Sequence, residues 1–464
     1  MKTPIKFGTD GWRAFMDGDY SFENLERVAQ AFADQLNSRK KNARVAVGYD
    51  TRQNSPQFAE RVAEILHANN IEVVLATRPT PTPAVSYAVV SKKLDAGIVI
   101  TASHNPAGYN GFKIKAEYGG SAEKSITDDV ESRLDKTPVA KKALPASCKI
   151  DLVDPFLKNM SAYLKLDIVK QSPYRLLVDS MHGTGDHYVE KLLSGGKIQV
   201  QTLRGNPDVT FGGTPPEPIA KYLTPSIELM KKRQHDLCMI TDGDADRVGA
   251  LRPGGEFIPP GIILSLILLH FVQDLGRKGS VVTTISNTAL IYKIAKKLGL
   301  KVHETPVGFK YVCEIMRREP VIIGGEESGG IGFQDYLFER DGMLSGLLLL
   351  QMMAMRKQTL EEILVGIEKE FGKLYYVRND FNYSNEMKPR LFKYLAEKNP
   401  QSFAGHKVVR VNPADGMKYV FEDDSWLLFR LSGTEPILRV YSEATSQNLA
   451  ETFVQEGRSL ALSV

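Results

Sequence analysis

The chain has 464 residues, of which 42% are hydrophobic and 25% are charged, and its formal net charge is +4. At roughly 100–200 residues per domain, this length predicts three or four globular domains. The nearly balanced charge, without a block of lysine and arginine, gives no indication of a nucleic-acid partner. The three cysteines, Cys148, Cys238 and Cys313, lack CxxC spacing, which argues against a disulfide framework or a zinc site.

The chain shows no signal for secretion or for membrane insertion. The segment from Met1 to Asp10 is polar and lacks the apolar core of a signal peptide. The most apolar stretch, 257–272, contains Pro259, Pro260 and His270, and it is shorter than the roughly 20 apolar residues of a membrane span. We therefore expect a buried helix entered through a proline turn, a cytoplasmic location and no membrane partner.

The first third of the chain alternates between strand-like and helix-like patterns. Arg44–Tyr49 and Ile71–Leu75 are short β-rich runs, and between them Gln57–Asn69 has the apolar spacing of a helix. A further continuous apolar run follows at Ala96–Thr101. Apolar strands separated by amphipathic helices predict a largely parallel sheet with helices on both faces.

The same pattern recurs twice in the middle of the chain. Tyr174–Asp179 and Asp236–Thr241 are predicted strands of a second unit. Gly279–Thr284, Thr288–Leu298 and Val321–Ile323 are a predicted strand, helix and strand of a third unit. Polar or Pro/Gly-containing sequence separates the units, so we place domain boundaries near residues 146, 254 and 371.

The tail has a different character. Four short strand candidates, at 408–412, 419–421, 426–431 and 437–443, precede a helix from about Gln447. The predicted fold class is therefore α/β, with three related mixed α/β domains (1–146, 147–254 and 255–370) and a smaller α+β domain (371–464).

The first polar motif begins directly after the apolar strand AGIVIT. It reads TASHNP and continues as AGYNGFK, so Ser103 is expected at the carboxyl end of a strand, where ligands bind in α/β sheets. A serine hydroxyl is a weak nucleophile that needs a base or a metal ion nearby. His104 is adjacent, and the Gly/Pro/Asn-rich turn could bring Lys113 back to the serine. A polar loop with a helix-capping serine is the alternative.

The second motif, DGDADR, also follows a predicted strand. Its carboxylates, Asp242, Asp244 and Asp246, can converge if the loop curls. Carboxylates about 5 Å apart repel by roughly 3 kcal/mol per pair at an effective dielectric constant of 20, and a cation offsets that repulsion. Hard oxygen ligands with open positions suit magnesium, and Arg247 suits a phosphate. An EF-hand is excluded because Pro253 stands where its twelfth-position glutamate would be; a solvated acidic turn is the other alternative.

Two further loops carry candidate binding groups. GGEESGG follows a predicted strand and offers Glu326 and Ser328 as hydrogen-bonding partners for sugar hydroxyls, although a plain acidic turn is the alternative. RLSGTEP closes a strand of the tail, where an arginine can bind a phosphate with two nitrogens and a glycine turn can donate backbone N–H groups. The phosphate-binding candidates in and near this turn are Arg430, Ser432, Gly433, Thr434 and Arg439. Arg13 in GTDGWR and Lys310 in TPVGFK are weaker candidates of the same type.

Taken together, these motifs resemble those of the α-D-phosphohexomutases, a family that includes phosphoglucomutase, phosphomannomutase and phosphoglucosamine mutase. Six segments carry the resemblance in family order: GTDGWR, TASHNPAGYNGFKIK, DGDADR, TPVGFKY, GEESGG and RLSGTEP. They span nearly the whole chain. The resemblance implies four domains around a central cleft, three with a mixed α/β core and a fourth related to the TATA-box-binding protein fold.

The resemblance also implies a role for each motif. Ser103 would carry the phosphoryl group, and its phosphate together with Asp242, Asp244 and Asp246 would hold Mg²⁺. His104, Lys113 and Arg247 would surround the transferring group. Glu326 and Ser328 would contact sugar hydroxyls, and Gly308 and Lys310 would belong to the loop that distinguishes substrate orientation. The residues implied to bind the non-reacting phosphate are Arg430, Ser432, Gly433 and Thr434, with Arg13 and Arg439 as further substrate-binding candidates.

The implied reaction interconverts glucose 1-phosphate and glucose 6-phosphate through glucose 1,6-bisphosphate, which also serves as an activator. Glucose is favoured because Glu327 and Gly330 stand where mannose-type and glucosamine-type members often carry Met or Gln and His. We expect a hexose phosphate substrate and a monomer or weak dimer. A phosphomannomutase, a dual-specificity mutase and a hexose 1,6-bisphosphate synthase remain alternatives, as do an inactive sugar-phosphate binder and a metal-dependent phosphatase.

Overall fold

The computed structural model describes residues 3–431 and 436–464. It contains three mixed α/β units and a fourth unit built on an antiparallel sheet, which confirms the predicted fold class. None of the helices in the described ranges combines the length and the apolar character that a membrane span requires.

The first unit is a six-stranded mixed sheet with helices packed against it. Its elements are β1 (Trp12–Phe15), α1 (Phe22–Arg39), β2 (Arg44–Tyr49), α2 (Ser55–Ala68), β3 (Glu72–Ala76), α3 (Thr82–Ser91), β4 (Ala96–Ile100), β5 (Tyr109–Ala116), α4 (Lys124–Arg133), a 3₁₀ helix (Ala146–Cys148) and β6 (Lys149–Ile150). The strand order is β1–β5–β4–β2–β3–β6, and β4, β2, β3 and β6 run parallel.

The first sheet is largely parallel, as expected, but the sequence did not predict its antiparallel edge. Strands β5 and β1 run antiparallel to their neighbours, with Lys113 of β5 opposite Val99 of β4. The sequence suggests only a polar turn leading to Lys113. The strand is missed because Lys113 and Lys115, both buried, place charges where a core strand ordinarily has apolar side chains.

The second unit is a five-stranded sheet in the order β11–β10–β9–β7–β8. Its elements are α5 (Val153–Tyr163), α6 (Leu166–Lys170), β7 (Arg175–Asp179), α7 (Tyr188–Leu193), β8 (Gln199–Leu203), 3₁₀ helices (Phe211–Gly213 and Ala220–Tyr222), α8 (Thr224–Lys231), β9 (Leu237–Thr241), β10 (Val248–Leu251) and β11 (Phe257–Ile258). Strands β8, β7 and β9 are parallel, and all five residues of β9 are buried, as expected when both faces of a strand are covered.

The third unit has the sheet order β13–β12–β14–β15–β16 and shares one apolar core with the second. Its elements are α9 (Pro260–Leu269), a π-helical turn (His270–Asp274), β12 (Ser280–Thr284), α10 (Leu290–Leu298), β13 (Val302–Thr305), α11 (Phe309–Met316), β14 (Val321–Gly325), β15 (Ile331–Phe333), β16 (Leu337–Arg340), α12 (Gly342–Arg356) and α13 (Leu360–Phe371). The stretch predicted to be a buried helix after a proline turn is α9, which enters through Pro259 and Pro260.

The fourth unit is an antiparallel sheet in the order β17–β22–β21–β20–β19–β18. Its elements are β17 (Tyr375–Asn382), α14 (Met387–Lys398), β18 (Ser402–Phe403), β19 (His406–Asn412), β20 (Met417–Phe421), β21 (Trp426–Leu431), β22 (Ile437–Ala444) and α15 (Gln447–Ser463). This unit has its own core and meets the third unit through a small apolar cluster that includes Ile285, Trp426 and Tyr441.

Candidate active site

Three of the predicted loops begin where buried strands end. Ser103 follows β4, Asp242 follows β9 and Glu326 follows β14, so three different sheets present these groups at their carboxyl edges. The loops also contact one another through the backbone, since Val248 N donates to Gly329 O at 2.9 Å and Gly342 N donates to Ala245 O at 3.0 Å. The site is therefore composite, and each of the first three units supplies one wall.

Ser103 lies buried in the centre of this composite site. Its Oγ donates to Asp242 Oδ2 at 2.7 Å and lies 3.5 Å from His104 Nδ1. Its backbone has φ of +53°, a left-handed conformation that costs a non-glycine residue roughly 1–2 kcal/mol. Ser103 N donates to Thr101 Oγ1 at 2.9 Å, which helps to hold this conformation. The hydroxyl is thus aimed at a carboxylate of another domain.

A buried ion pair holds the serine loop in place through hydrogen bonds. Asp50 and Arg52 pair at 2.9 Å, and both side chains are fully buried. Asp50 also accepts from Thr101 Oγ1 at 2.6 Å, while Arg52 donates to the backbone oxygens of Ser103 and Asn105, each at 2.6 Å. Neither residue was predicted from the sequence, although the DTRQNS segment after β2 stands at the carboxyl end of a strand.

The three aspartates form the compact acidic cluster that the spacing suggested. Asp242, Asp244 and Asp246 are fully buried, and each offers a carboxylate oxygen such that all three oxygens lie within 4.8 Å of one another. Burial raises the pKa of Asp242 well above its usual range, and repulsion from the Asp244 and Asp246 carboxylates raises it further. The buried Oδ1 atoms of Asp244 and Asp246 have no hydrogen-bond partner among the described residues. Unsatisfied hard oxygen donors at this separation fit a divalent cation such as Mg²⁺.

Buried cations on two other domains face this acidic cluster. Lys113 Nζ lies 2.8 Å from Asp244 and 2.9 Å from Asp246, and it also pairs with Asp10 at 2.9 Å. Arg340, on β16, pairs with Asp246 at 2.7 Å and with Asp10 at 2.5 Å. Burial favours the neutral acid, but these cations outweigh it and hold the pKa of Asp10 well below its usual range. Lys113 was predicted from its motif, whereas Asp10 and Arg340 were not.

His104, Arg13 and Arg247 line the same space beside the serine. Arg13 Nη1 donates to Asn105 Oδ1 at 2.8 Å, so it touches the serine loop directly. Arg247 Nε is buried and lies 3.9 Å from both Asp242 and Asp246, and no group in the described part of the chain forms a hydrogen bond with it. Burial, and then the cations Arg247 and Arg13, lower the pKa of His104 well below its usual range. This cationic lining is suited to an anionic ligand.

The candidate sugar-binding loop is tied to both neighbouring loops. Glu326 is buried, accepts from Gly308 N at 3.0 Å and lies 3.5 Å from Arg340. Burial raises the pKa of Glu326 to about 7 despite the nearby arginine. Ser328 is half-buried in the turn that follows. Lys310 and Gly8–Gly11 of the first unit line a small recess. Lys310 therefore lies at the edge of the site and not at its centre.

The fourth unit contributes two arginines on adjacent strands. Arg430 of β21 and Arg439 of β22 are cross-strand partners, and Arg430 Nε donates to Asp415 Oδ2 at 2.7 Å. Arg439 lies 3.5 Å from Asp380. Asp415 in turn accepts from Val307 N of the TPVGFK loop at 2.9 Å, which joins Arg430 to the third unit. The predicted phosphate-binding residues Ser432, Gly433 and Thr434 lie outside the described residues.

Comparison with family models gives the same four-unit division along the chain. Residues 4–140, 154–255 and 260–371 match phosphoglucomutase/phosphomannomutase alpha/beta/alpha domains I, II and III. Residues 391–459 match the C-terminal domain of the same family. The matches follow the order in which the four sheets occur in the structure.

Whole-chain relatives carry related names. The "Phosphoglucomutase/phosphomannomutase" of Thermococcus kodakarensis is 29% identical, over 98% of each chain. The "Probable phosphoglucosamine mutase" of Methanosphaera stadtmanae is 30% identical, over 96% of this chain and 95% of the relative. A crystal structure of a "putative phosphomannomutase" from Thermus thermophilus aligns with a TM-score of 0.89 at 33% identity, over the full length of both chains. The chain therefore belongs to the phosphoglucomutase/phosphomannomutase (α-D-phosphohexomutase) family and is an intramolecular phosphotransferase of that family.

Proposed function

We propose that this phosphohexomutase interconverts glucose 1-phosphate and glucose 6-phosphate by passing a phosphoryl group through Ser103. The observation that carries the proposal is the 2.7 Å contact between Ser103 Oγ and Asp242 at the edge of a buried three-aspartate cluster. A hydroxyl held against acidic oxygen donors is suited to exchanging a phosphoryl group, because phosphoryl transfer depends mostly on positioning and charge stabilisation.

Mg²⁺ would be held by Asp242, Asp244 and Asp246 together with the phosphate on Ser103, and when bound it would neutralise charge on the transferring group. The protein itself supplies the remaining positive charge. Lys113 and Arg247 face the cluster and would balance a phosphoserine, which carries about −1.5 to −2 charge at neutral pH. Without these two cations, a phosphate beside three carboxylates would be strongly repelled.

The reaction then follows in two transfers. In the first, a hydroxyl oxygen of the bound sugar phosphate forms a bond to phosphorus, the bond from phosphorus to Ser103 Oγ breaks, and the proton lost by the sugar hydroxyl is balanced by the proton that Ser103 Oγ gains. This gives glucose 1,6-bisphosphate and free Ser103. In the second, after the bisphosphate has reversed its orientation, Ser103 Oγ forms a bond to the other phosphorus and loses its proton, while the bond from that phosphorus to the sugar oxygen breaks and the sugar oxygen becomes a hydroxyl. Arg430 would hold the phosphate that is not reacting in each transfer, since an arginine can bind a phosphate through two parallel hydrogen bonds.

The sugar-binding loop supports glucose as the substrate. Glu326 is fixed by Gly308 N at 3.0 Å and by Arg340 at 3.5 Å, so its carboxylate is preorganised for hydrogen bonds to sugar hydroxyls. Beside it, Glu327 accepts from Thr284 at 3.2 Å. This acidic pair suits a ligand with adjacent free hydroxyls, and the preference for glucose over mannose and glucosamine rests on the resemblance of the GEESGG loop to that of glucose-type family members.

The test compares the kcat/KM values of glucose, mannose and glucosamine 1-phosphates with magnesium, in the wild type and two variants. Ser103→Ala should lose at least ~10³-fold in kcat/KM, because it removes the atom that carries the phosphoryl group. Ser132→Ala, at an exposed serine of α4, is the matched control and should retain wild-type activity. The intact mass of the wild type should exceed that of the Ser103→Ala variant by one phosphoryl group, after allowance for the missing oxygen atom.

Three results would contradict parts of the proposal. Substantial turnover by Ser103→Ala would exclude the phosphoserine route. A higher kcat/KM for mannose or glucosamine 1-phosphate would show that glucose is the wrong sugar. Net formation of glucose 1,6-bisphosphate from glucose 1-phosphate at the expense of a different added bisphosphate, with little isomer formed, would indicate a bisphosphate synthase rather than a mutase. A cytoplasmic location, activation by glucose 1,6-bisphosphate and a monomeric or weakly dimeric state remain predictions of the same proposal.

A further inference from the structure

The turn between β19 and β20, residues 413–416, connects the fourth unit to the third. One oxygen atom of Asp415, Oδ2, accepts from Arg430 Nε at 2.7 Å and from Val307 N at 2.9 Å. Arg430 is the candidate phosphate ligand, and Val307 belongs to the TPVGFK loop. A single carboxylate therefore bridges two candidate substrate-binding groups that lie on different domains.

The turn is fixed from both sides by another carboxylate. Glu304, at the end of β13, accepts from Asn412 Nδ2 at 2.6 Å and from Lys418 Nζ at 2.7 Å. Lys418 is buried and also donates to Ile285 O at 2.7 Å. Asn412 and Lys418 stand immediately before and shortly after the turn. The turn is thus docked on the third unit at two separate points, and Asp415 lies between them.

The same turn packs tightly on the strand that carries Arg430. Gly416 has φ of +104°, and a Cβ atom built there would lie 2.0 Å from Phe429 O and 3.1 Å from Arg430 Cα. Only glycine allows this approach. The backbone beside Asp415 is therefore held against β21, which sets the distance between Asp415 and the Arg430 guanidinium.

The connection continues from Val307 into the sugar-binding loop. Gly308, the next residue, donates its N–H to Glu326 Oε1 at 3.0 Å. The series of contacts runs from Arg430 through Asp415 and the 307–308 backbone to Glu326. Asp415 binds Arg430 at Nε, and within residues 3–431 and 436–464 no hydrogen bond engages the two terminal nitrogens, which form a pair that can bind a phosphate.

We propose that Asp415 is a positioning residue that holds the Arg430 guanidinium and the 307–308 backbone at a fixed distance from each other. The distal phosphate and the sugar hydroxyls of one substrate molecule are thereby recognised at a set separation, in either orientation of the substrate. This inference rests on the proposed function, because it takes a hexose phosphate as the ligand that spans Arg430 and Glu326.

The test measures the binding of glucose 1-phosphate by calorimetry in the Ser103→Ala background, so that no turnover is needed. Asp415→Asn keeps the shape and an acceptor oxygen but removes the charge that orients Arg430. We expect it to weaken binding roughly tenfold, the size of effect typical of a lost charge-assisted hydrogen bond. Asp424→Asn, at an exposed residue in the turn at the other end of β20, is the matched control and should bind within twofold of the parent.

A second variant and a second readout separate positioning from general stability. Asp415→Glu restores the charge on a longer side chain and should recover part of the lost affinity. In the active enzyme, Asp415→Asn should raise KM by roughly tenfold, with an unfolding temperature like that of Asp424→Asn. Binding by Asp415→Asn within twofold of the parent would overturn the inference, and so would equal losses in the Asn and Glu variants. Absence of turnover in the wild type would instead refute the proposed function, and the binding comparison would still stand.

Discussion

Arg52 offers a direct test of how the serine loop is held. Its buried guanidinium donates to the backbone oxygens of Ser103 and Asn105 at 2.6 Å, of Pro106 at 2.7 Å and of Tyr109 at 3.0 Å. It therefore touches the loop at four points, although it makes no contact with the serine hydroxyl. Arg52→Lys keeps the positive charge but replaces a planar group with five donors by one nitrogen with three.

The expected loss can be worked out from these contacts. The Arg52 guanidinium serves five acceptors, the four carbonyls and the Asp50 carboxylate. A lysine nitrogen can serve at most three acceptors, so at least two of these five lose their partner. Each hydrogen bond to a charged donor contributes about 1.5–3 kcal/mol, which gives a local loss of ~3–6 kcal/mol. Ser103, whose φ is +53°, would then relax toward an ordinary conformation. A shift of about 1 Å in a reacting group costs ~10²-fold in rate.

We therefore expect Arg52→Lys to lower kcat/KM for glucose 1-phosphate about 10²-fold and to reduce the phosphoserine content measured by intact mass. Arg61→Lys is the matched control, because Arg61 lies on the neighbouring helix α2, is half-buried and pairs with Glu64 at 3.0 Å. A rate within threefold of wild type for Arg52→Lys would refute the reasoning. A lowered rate shared equally by Arg61→Lys would also refute it, since the effect would then not be specific to the loop.

Three further predictions follow from other parts of the site. Chelation of divalent cations should abolish turnover, and Mg²⁺ should restore it and raise the unfolding temperature, because a cation relieves repulsion within the buried aspartate cluster; no thermal shift would contradict a metal site there. Gly308→Ala should lower kcat/KM about tenfold and should also lower the unfolding temperature, since φ of +134° strains any side chain by roughly 1–3 kcal/mol; wild-type kinetics and stability would show that the loop tolerates the change. Burial raises the pKa of Asp341 to about 7 from its usual value near 3.8, so its ionisation costs the folded state stability as the pH rises between these values. Asp341→Asn should therefore be more stable than wild type at pH 8, by up to ~4 kcal/mol, and should lose this advantage near pH 4; equal stability differences at both pH values, measured by denaturant unfolding, would contradict this.

The sequence predicted the strands that lie at the centre of each sheet. β2 and β21 have the predicted bounds, and β9 begins one residue later than expected. These strands are continuous apolar runs because both of their faces are covered, so burial and pattern agree. Short edge strands such as β11 and β18, of two residues each, carry no such pattern and depend on neighbours that only the folded chain supplies.

The sequence predicted those residues of the site that stand together in short motifs. Ser103 and the three aspartates stand in recognisable loops after apolar strands, and the fold brings the two loops into contact. Arg340 gave no signal, because it lies at the end of a strand in LFERDG, where one arginine among charged residues looks like surface. Asp415 was hidden for the same reason, in an ordinary turn sequence. Their importance arises from packing between domains, which spacing within one segment does not reveal.

The contacts of the aspartate loop explain why no single unit can rebuild this site. Asp244 accepts from Thr82 at 2.6 Å and from Lys113 at 2.8 Å, both in the first unit. Asp246 pairs with Arg340 of the third unit at 2.7 Å. Replacing Lys113 or Arg340 by a neutral residue would leave buried carboxylates without one of their cations, and an uncompensated buried charge costs about 3–5 kcal/mol. Charge balance around the aspartate cluster thus depends on the correct relative placement of three domains. The same ion pairs contribute both to the packing of the domains and to the arrangement of the site.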